Sequence, residues 1–177
     1  MQVLLVADTH LKRGQAGRLI DRLADHLAHA DAIVHAGDIT DASVLDELAR
    51  CAPVHAVRGN NDVTADLRRL LPERLILDLA GCTVAVVHDS GQAAGRAARL
   101  RRWFPTADAV VFGHSHIPWS EAHTDPAGHV QHHVNPGSAI QARRQPHCSA
   151  AWLRISLGAV IDVEHVVLSV PRARSAF

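Results

Sequence analysis

Several short, largely apolar runs in this chain end abruptly at polar loops, and segments with helical spacing separate them. The first three runs are at 2–7, 32–35 and 54–57. Strands that are covered on both faces show continuous runs of this kind, because neither face meets water. Leu19, Leu23 and Leu27 recur at helical spacing between the first two runs, and a second helix is predicted at 44–49. The first part of the chain therefore predicts βαβ units and a parallel sheet.

The second part of the chain has a different pattern, in which most strands follow one another after short turns. Predicted strands at 75–79 and 83–87 are close enough for a hairpin, and a helix at 93–103 and a buried strand at 109–112 follow. Antiparallel strands are then predicted at 119–124, 129–134, 149–156 and 159–165. We therefore predict an α/β fold with helices outside two sheets, a single domain at 1–165 and a C-terminal tail at 166–177.

The composition is that of one ordinary globular domain, with 177 residues, of which 47% are hydrophobic and 20% charged. Lysine and arginine number 18 and aspartate and glutamate also 18, so the broad positive field of a sequence-independent nucleic-acid binder is missing. No apolar run approaches the roughly 18 residues of a membrane span, and no basic leader precedes the first run. We expect a cytoplasmic protein with no membrane partner, the charge balance does not indicate a nucleic-acid partner, and the oligomeric state stays open.

Residues of the metal-ligand type follow the predicted strands at five separate places. These places are Asp8-Thr9-His10, Gly37-Asp38, Gly59-Asn60-Asn61-Asp62, Val87-His88 and Gly113-His114-Ser115-His116. Open α/β sheets bind their ligands beyond the carboxyl ends of the strands, so the five loops are expected to converge. Histidine, the commonest metal ligand in proteins, occurs 14 times in the chain. The pattern predicts a metal site at this edge of the sheets.

The spacing and chemistry of these residues predict two metal ions rather than one. In an extended segment residues i and i+2 point to one side, so Asp8 with His10, and His114 with His116, can offer paired ligands to one cleft. Carboxylate, amide and imidazole groups without thiolate suit manganese, iron or zinc. The donors are too many for one tetrahedral ion, and a carboxylate can bridge two ions about 3.5–4 Å apart.

The ordered motifs Asp-x-His, Gly-Asp, Gly-Asn-x-Asp, His and Gly-His-x-His, followed by Asn135-Pro136-Gly137-Ser138, resemble those of the calcineurin-like metallophosphoesterases. They resemble in particular the small single-domain bacterial and archaeal phosphodiesterase branch, over nearly the whole chain. The resemblance implies the metallo-dependent phosphatase fold, a four-layer αββα sandwich of two mixed β-sheets flanked by helices. It also implies a dinuclear metal site that hydrolyses phosphoester bonds.

The resemblance carries metal-binding roles to seven residues. Asp8, His10 and His116 would bind the first ion, Asn60, His88 and His114 the second, and Asp38 both. The nucleophile implied is a hydroxide held between the ions, since a divalent metal lowers the pKa of water from 15.7 to about 7. Asp38, Asn60 and His88 are thereby the expected catalytic residues. Manganese is the expected metal in both positions, with iron, zinc and nickel as alternatives.

Other residues near the motifs have expected supporting roles. Asp62 and His35 are expected to lie behind the ligands and orient them. Arg58 and Arg143 lie near motif loops and are candidates to hold a substrate phosphate by bidentate hydrogen bonds. These four residues would shape the site without binding the ions.

Two positions depart from the family pattern. Many members have histidine directly after the motif asparagine, as a candidate general acid, but here Asn61 stands there and becomes a candidate substrate contact. Asp89 stands where the family usually has glycine, and its role stays open. The source of the leaving-group proton and the roles of the histidines outside the motifs also stay open.

Three other functions compete with that of a phosphodiesterase. A phosphomonoesterase and a non-catalytic interaction scaffold are both compatible with the resemblance, because a eukaryotic retromer subunit uses the same fold as a scaffold. All seven metal-binding side chains are present, which favours catalysis. A serine hydrolase is excluded, because Ile117 and Pro118 follow Ser115 where its nucleophile turn needs glycine and a helix.

Overall fold

The structure, a computed structural model, describes residues 1–169. Within these residues the chain forms ten strands and four helices. Their order is β1 (Gln2–Val6), α1 (Gly17–Leu27), β2 (Ala32–His35), α2 (Ser43–Ala49), β3 (Val54–Ala56), α3 (Ala65–Leu70), β4 (Arg74–Leu79), β5 (Cys82–Val87), α4 (Arg96–Trp103), β6 (Ala109–Val111), β7 (Trp119–Thr124), β8 (Val130–Asn135), β9 (Cys148–Ser156) and β10 (Ala159–Leu168). All ten predicted strands are present, with ends that differ by at most three residues.

The strands form two mixed five-stranded sheets. The first sheet has the order β10-β9-β1-β2-β3, in which β1, β2 and β3 are parallel and β9 and β10 are antiparallel to their neighbours. The second sheet has the order β4-β5-β6-β8-β7, in which β5, β6 and β8 are parallel. The prediction that β8 is antiparallel holds only for its pairing with β7, because β7 lies at the edge and β8 returns beside β6.

The two sheets pack face to face, and helices cover their outer faces. Val3 and Leu5 of β1 lie in one buried cluster with Val84 and Val86 of β5, which forms the layer between the sheets. Buried leucines of α1, α2 and α3 pack on the outer face of the first sheet. Leu100 of α4 packs on the outer face of the second. This arrangement is the four-layer αββα sandwich, and it confirms the predicted fold class.

Helix α3 is an element that the sequence analysis missed. It has six residues, of which only Leu67 is buried, so it shows no apolar periodicity. Its start is set by Thr64, whose side-chain oxygen accepts a hydrogen bond from the Leu67 backbone N–H at 3.4 Å. Helix α4 begins three residues later than predicted. Gly95 has a left-handed φ of 69°, which is incompatible with a right-handed helix, so the helix starts after it.

The described part of the chain ends with a long strand, β10. β10 continues through Leu168, which pairs with Cys148 of β9, so the boundary predicted at 165 falls inside this strand. Apolar Val166 and Val167 extend the pairing because they still find partners on β9. The rest of the predicted tail, 170–177, lies outside the described residues. None of the helices in residues 1–169 is long and apolar enough to span a membrane.

Candidate metal centre

The candidate ligands follow strand ends in both sheets. Asp8 and His10 follow β1, Asp38 follows β2 and Asn60 follows β3, all in the first sheet. The remaining candidates lie in the second sheet: His88 follows β5, and His114 and His116 follow β6. Because the sheets pack face to face, their parallel strands bring these ends to one edge of the sandwich. The loops that the sequence analysis expected to converge therefore meet.

Distances between the side chains describe a first group of ligands. His10 Nε2 lies 3.1 Å from His116 Nε2 and 3.5 Å from Asp38 Oδ2. His116 Nε2 lies 3.6 Å from Asp8 Oδ1. His116 Nδ1 donates a hydrogen bond to the Gln141 carbonyl at 2.7 Å, so its Nε2 carries the lone pair when the ring is neutral. Two imidazole nitrogens and carboxylate oxygens thus face a common point.

A second group surrounds His88. Its Nδ1 donates to the Ala36 carbonyl at 2.7 Å, and its Nε2 lies 3.4 Å from Asp38 Oδ2 and 3.1 Å from Asn60 Oδ1. His114 Nδ1 lies 2.9 Å from the same Asn60 oxygen. Burial lowers the pKa of His88, but the hydrogen bond to Asp38 raises it above its ordinary value, so without a metal ion a proton on Nε2 can lie between these oxygens. Imidazole nitrogen, carboxylate oxygen and amide oxygen are also the ligand types that a divalent cation accepts in place of that proton, so the donor set fits a metal ion.

Asp8 carries the clearest sign of a missing partner. The carboxylate is fully buried, and its Oδ2 has no hydrogen-bond partner among the described residues. Burial raises the pKa of Asp8 to about 7. Potential ligand atoms of Asp8, His10 and His116 lie within 4.8 Å of one another, and so do those of Asp8, Asp38 and His88. Asp8 therefore lies close to histidines of both groups. A buried carboxylate oxygen without a donor is what a bound cation would satisfy.

Asp38 is held in its charged form by neighbouring donors. Burial alone would raise its pKa, but hydrogen bonds from His88 and Asn61 lower the pKa below its ordinary value. The Asn61 backbone N–H donates to Asp38 Oδ1 and the Asn61 amide to Oδ2, both at 2.7 Å. The structure therefore places the Asn61 amide on Asp38, and not free toward a substrate as the sequence analysis expected.

The backbone around the ligands adopts an uncommon conformation. Five candidate ligands have left-handed φ angles between 46° and 70°: Asp8, His10, Asp38, His114 and His116. Each such residue costs roughly 1–2 kcal/mol, and such residues concentrate at functional sites. The paired ligands therefore reach one cleft through left-handed backbone, and not through the extended segments that the sequence analysis assumed.

Two glycines of the motifs are required for different reasons. Gly37 has a φ of 89°, which supports the predicted sharp turn before Asp38. At Gly59 the φ is not left-handed, but a Cβ would lie 2.2 Å from the backbone nitrogen of Asp38. Glycine at 59 is thus needed because two loops of the site touch there.

The family model that describes the calcineurin-like phosphoesterase superfamily domain matches residues 1–158 of this chain. The chain belongs to the calcineurin-like phosphoesterase superfamily. It is 33% identical over 122 residues to a probable metallophosphoesterase of Methanocaldococcus jannaschii, which covers 67% of this chain and 60% of that protein. It is 28% identical over 177 residues to a probable metallophosphoesterase of Methanothermobacter thermautotrophicus, which covers 99% and 97%. This chain thus spans less than two thirds of the first relative.

Solved structures share the metallophosphoesterase fold at low sequence identity. A structure described as a novel archaeal phosphodiesterase matches with a TM-score of 0.70 and 18% identity, over 95% of this chain and 100% of that one. Vps29 of Chaetomium thermophilum matches with a TM-score of 0.70 and 17% identity, over 97% and 100%. At these identities the likeness shows the fold alone. Family membership together with the clustered Asp and His side chains indicates that this metallophosphoesterase binds divalent metal ions.

In this metallophosphoesterase, Asp62 and His35 support the ligand loops from behind. The buried Asp62 carboxylate accepts hydrogen bonds from the backbone N–H groups of Gly59, Asp38 and Thr40 at 2.7–3.0 Å. His35 is buried, and its Nε2 lies 3.2 Å from Oγ1 of Thr9. Thr9 is the residue between the candidate ligands Asp8 and His10 in the chain. Burial lowers the pKa of His35 to about 3, so it is neutral.

Sequence analysis noted the motif at 135–138 but gave its residues no role. The Asn135 amide donates to the Gly113 carbonyl at 2.8 Å, and Ser138 Oγ donates to the Asp8 carbonyl at 2.7 Å. Both side chains are buried. These hydrogen bonds hold the loops after β6 and β1 in place. The sequence signal for this supporting role was a polar motif at the end of a buried strand.

Three charged residues near the motifs, Arg58, Arg143 and Asp89, have different neighbours. Arg58 forms an ion pair with Glu73 and lines grooves that also touch Asn60. Arg143 lies two residues after Gln141, whose carbonyl accepts a hydrogen bond from His116 of the first group. Burial lowers the pKa of His10, the Asp38 carboxylate raises it, and the positive charge of Arg143 lowers it. Asp89 accepts a hydrogen bond from the Gly91 backbone N–H at 2.7 Å and lines a groove with His88.

Proposed function

We propose that this metallophosphoesterase is a phosphodiesterase that works with two divalent metal ions, manganese first among them. The observation that carries the proposal is the buried Asp8 carboxylate, which has one unpartnered oxygen and offers a ligand atom close to those of three histidines and a second carboxylate. A buried carboxylate oxygen without a partner costs stability, and a bound cation would offset that cost. The proposal includes the expected cytoplasmic location and a small phosphoester substrate.

The proposed ligand roles follow the two groups. Asp8, His10 and His116 would hold one ion, and Asn60, His88 and His114 the other. Asp38 lies between the groups, since its Oδ2 is 3.5 Å from His10 Nε2 and 3.4 Å from His88 Nε2, which supports a shared role. When bound, the ions would supply an activated water as nucleophile and neutralise charge on the phosphoryl oxygens.

The protein's own groups would prepare the site for this chemistry. Asn61 fixes both oxygens of Asp38 and keeps the carboxylate charged, so it acts on the reaction through Asp38. Arg143 and Arg58 belong to loops that border the two groups and would bind phosphate oxygens of the substrate, although Arg58 must share its guanidinium with Glu73. The two histidines beside Asp38, His10 and His88, are proposed metal ligands, and Asn61 stands where many family members have a histidine general acid, so esters with good leaving groups are favoured.

Asp89 supports a preference for diesters over monoesters. It lines a groove of about 290 Å³ together with Asn60 and His88, beside the second group. A phosphomonoester carries up to two negative charges and a diester one, so a nearby carboxylate repels the monoester more. The alternative phosphomonoesterase would require this repulsion to be overcome.

The test is turnover by the purified protein after reconstitution with Mn²⁺, with Fe²⁺, Zn²⁺ and Ni²⁺ compared in parallel. We expect hydrolysis of bis(p-nitrophenyl) phosphate to exceed that of p-nitrophenyl phosphate, and EDTA to abolish both. Asp38→Asn is the matched control, because it keeps the shape and removes the charge. Preference for the monoester would contradict the diesterase. Stoichiometric metal binding without any turnover would favour the scaffold.

A further inference from the structure

We propose a second phosphate-binding site, formed by Arg58 and Arg68 in the groove beside Asn60. This inference rests on the proposed function, and it narrows the substrate to phosphodiesters that carry a further phosphate group, as nucleotides with two phosphates do. The groove is adjacent to the second group of candidate ligands, because Asn60 lines it. A substrate whose scissile phosphate sits at the metal centre could therefore extend into it.

The groove has the size and composition for a charged group. Its volume is about 270 Å³, and its lining residues are Arg58, Gly59, Asn60, Asp62, Val63 and Arg68. That volume is close to the lower end of small-molecule sites, roughly 300 Å³. Val63 is 60% exposed and offers an apolar surface for a sugar or base. Two arginines on one short groove offer paired guanidinium donors, which match phosphate geometry.

The acidic groups around the groove do not neutralise it. The Asp62 carboxylate is buried and already accepts three backbone hydrogen bonds. Glu73 pairs with Arg58 from the side of the neighbouring groove. Arg68 has no salt bridge to any residue within 1–169. One full positive charge is thus available to an anion, and a second is shared.

Helix α3 holds Arg68 in position. The helix is capped by Thr64, and the Arg68 backbone N–H donates to the Thr64 carbonyl at 3.0 Å. Leu67 anchors the helix in the core, with 1% of its surface exposed. Arg68 therefore projects from a fixed element rather than from a free loop, which lowers the entropy cost of binding.

Arg69 provides a matched control on the same helix. It is the next residue, its side chain is 85% exposed, and it pairs with Asp66 at 3.6 Å. It does not line the groove. A change at Arg69 alters the net charge of the helix as a change at Arg68 does, so it separates specific contact from general attraction.

The experiment compares two chromogenic substrates with the Mn²⁺-loaded protein. One is the p-nitrophenyl ester of thymidine 5′-phosphate, and the other carries an additional 3′-phosphate, so both have the same scissile bond and leaving group. We expect the additional phosphate to raise kcat/KM at least about tenfold, mainly through KM. Arg68→Gln should remove most of this gain, Arg68→Lys should keep part of it, and Arg69→Gln should keep it.

Binding of the products provides a readout that does not need turnover. By calorimetry, thymidine 3′,5′-bisphosphate should bind more tightly than thymidine 5′-monophosphate, and Arg68→Gln should remove the difference. Equal kcat/KM for the two substrates, or a gain that survives Arg68→Gln, would overturn the second site. Failure of the wild type to hydrolyse either substrate, with the binding difference intact, would instead overturn the proposed function and leave this site supported.

Discussion

At the edge of the sandwich where the candidate ligands meet, which we call the metal edge, the surroundings of single side chains favour a bound cation. The same surroundings lower the stability of the metal-free protein. Asp8 is buried without a donor for Oδ2, and several neighbouring ligands adopt left-handed backbone. Asp38, by contrast, is fully hydrogen-bonded by Asn61. One carboxylate is therefore poised for a cation, while the other is fixed in its charged form. Two residue substitutions test these statements.

Replacement of Asp8 by asparagine should stabilise the metal-free protein at pH 8. The folded-state pKa of about 7 lies above the unfolded value of 3.8, so the folded state binds more protons between these values. The unfolding free energy of metal-free wild type therefore falls as pH rises from 4 to 7. Asp8→Asn lacks this loss, and its Tm in EDTA should exceed that of wild type by a few degrees at pH 8 and converge with it at pH 4. An Asp8→Asn protein less stable than wild type at pH 8 would refute the desolvation argument.

Asn61→His should improve catalysis on esters with poor leaving groups. Positioned acid catalysis contributes about 10²–10⁴-fold, and an alkoxide needs the proton more than a nitrophenolate does. The substitution also removes the amide that holds Asp38, so metal affinity is measured alongside kcat/KM, and Asn61→Ala serves as the control for that loss. An equal change in kcat/KM on methyl and nitrophenyl esters would show that the proton comes from elsewhere.

At the level of single elements, the second sheet buries a histidine that does not belong to the metal centre. His133 on β8 is fully buried and donates through Nε2 to Gln131 Oε1 at 2.8 Å. The two Gln131 amide hydrogens are donated to the Phe104 and Ala107 carbonyls, which fixes this orientation. Sequence analysis left the roles of the histidines outside the motifs open, and His133 lies inside the fold because α4 covers that face of the sheet.

This burial predicts a loss of stability in acid. Burial lowers the pKa of His133 to about 4, below the unfolded value of 6.5, so the unfolded state binds more protons between those values. The unfolding free energy should therefore fall as pH drops from 7 to 5. His133→Gln, which keeps an amide donor toward Gln131, should reduce that fall by on the order of 1–2 kcal/mol in urea unfolding with EDTA present. The same pH dependence in both proteins would contradict the prediction.

At the scale of the molecule, the metal centre joins the two sheets. Asp8, His10, Asp38 and Asn60 come from loops of the first sheet, and the other candidate ligands from loops of the second. Ions bound between them would add a connection at one edge of the sandwich, beyond the apolar layer that packs the sheets together. Metal removal should therefore affect the stability of the whole fold.

Metal-loaded wild type should unfold at a higher temperature than the EDTA-treated protein, because ligands of the folded state stabilise it by mass action. Asp38→Ala should lose nearly all of this difference and all measurable activity. Asn60→Ala should lose less of both, since it removes a neutral ligand of one group only. Metal content by mass spectrometry and Tm with and without Mn²⁺ provide the comparison. Full metal content and activity in Asp38→Ala would exclude a shared role for Asp38.

Local sequence patterns are enough to predict the strands along the chain, the fold class and the residues that gather at the metal edge. Apolar runs and loop motifs such as those ending in Asp38 and His114 are such patterns, and parallel strands bring their ends together without further information. The unpartnered oxygen of Asp8, the hydrogen bonds of Asn61 to Asp38 and the capped helix that carries Arg68 are visible only in the folded protein. Burial, tautomer and left-handed backbone depend on neighbours that are distant in the chain, so no local pattern reports them.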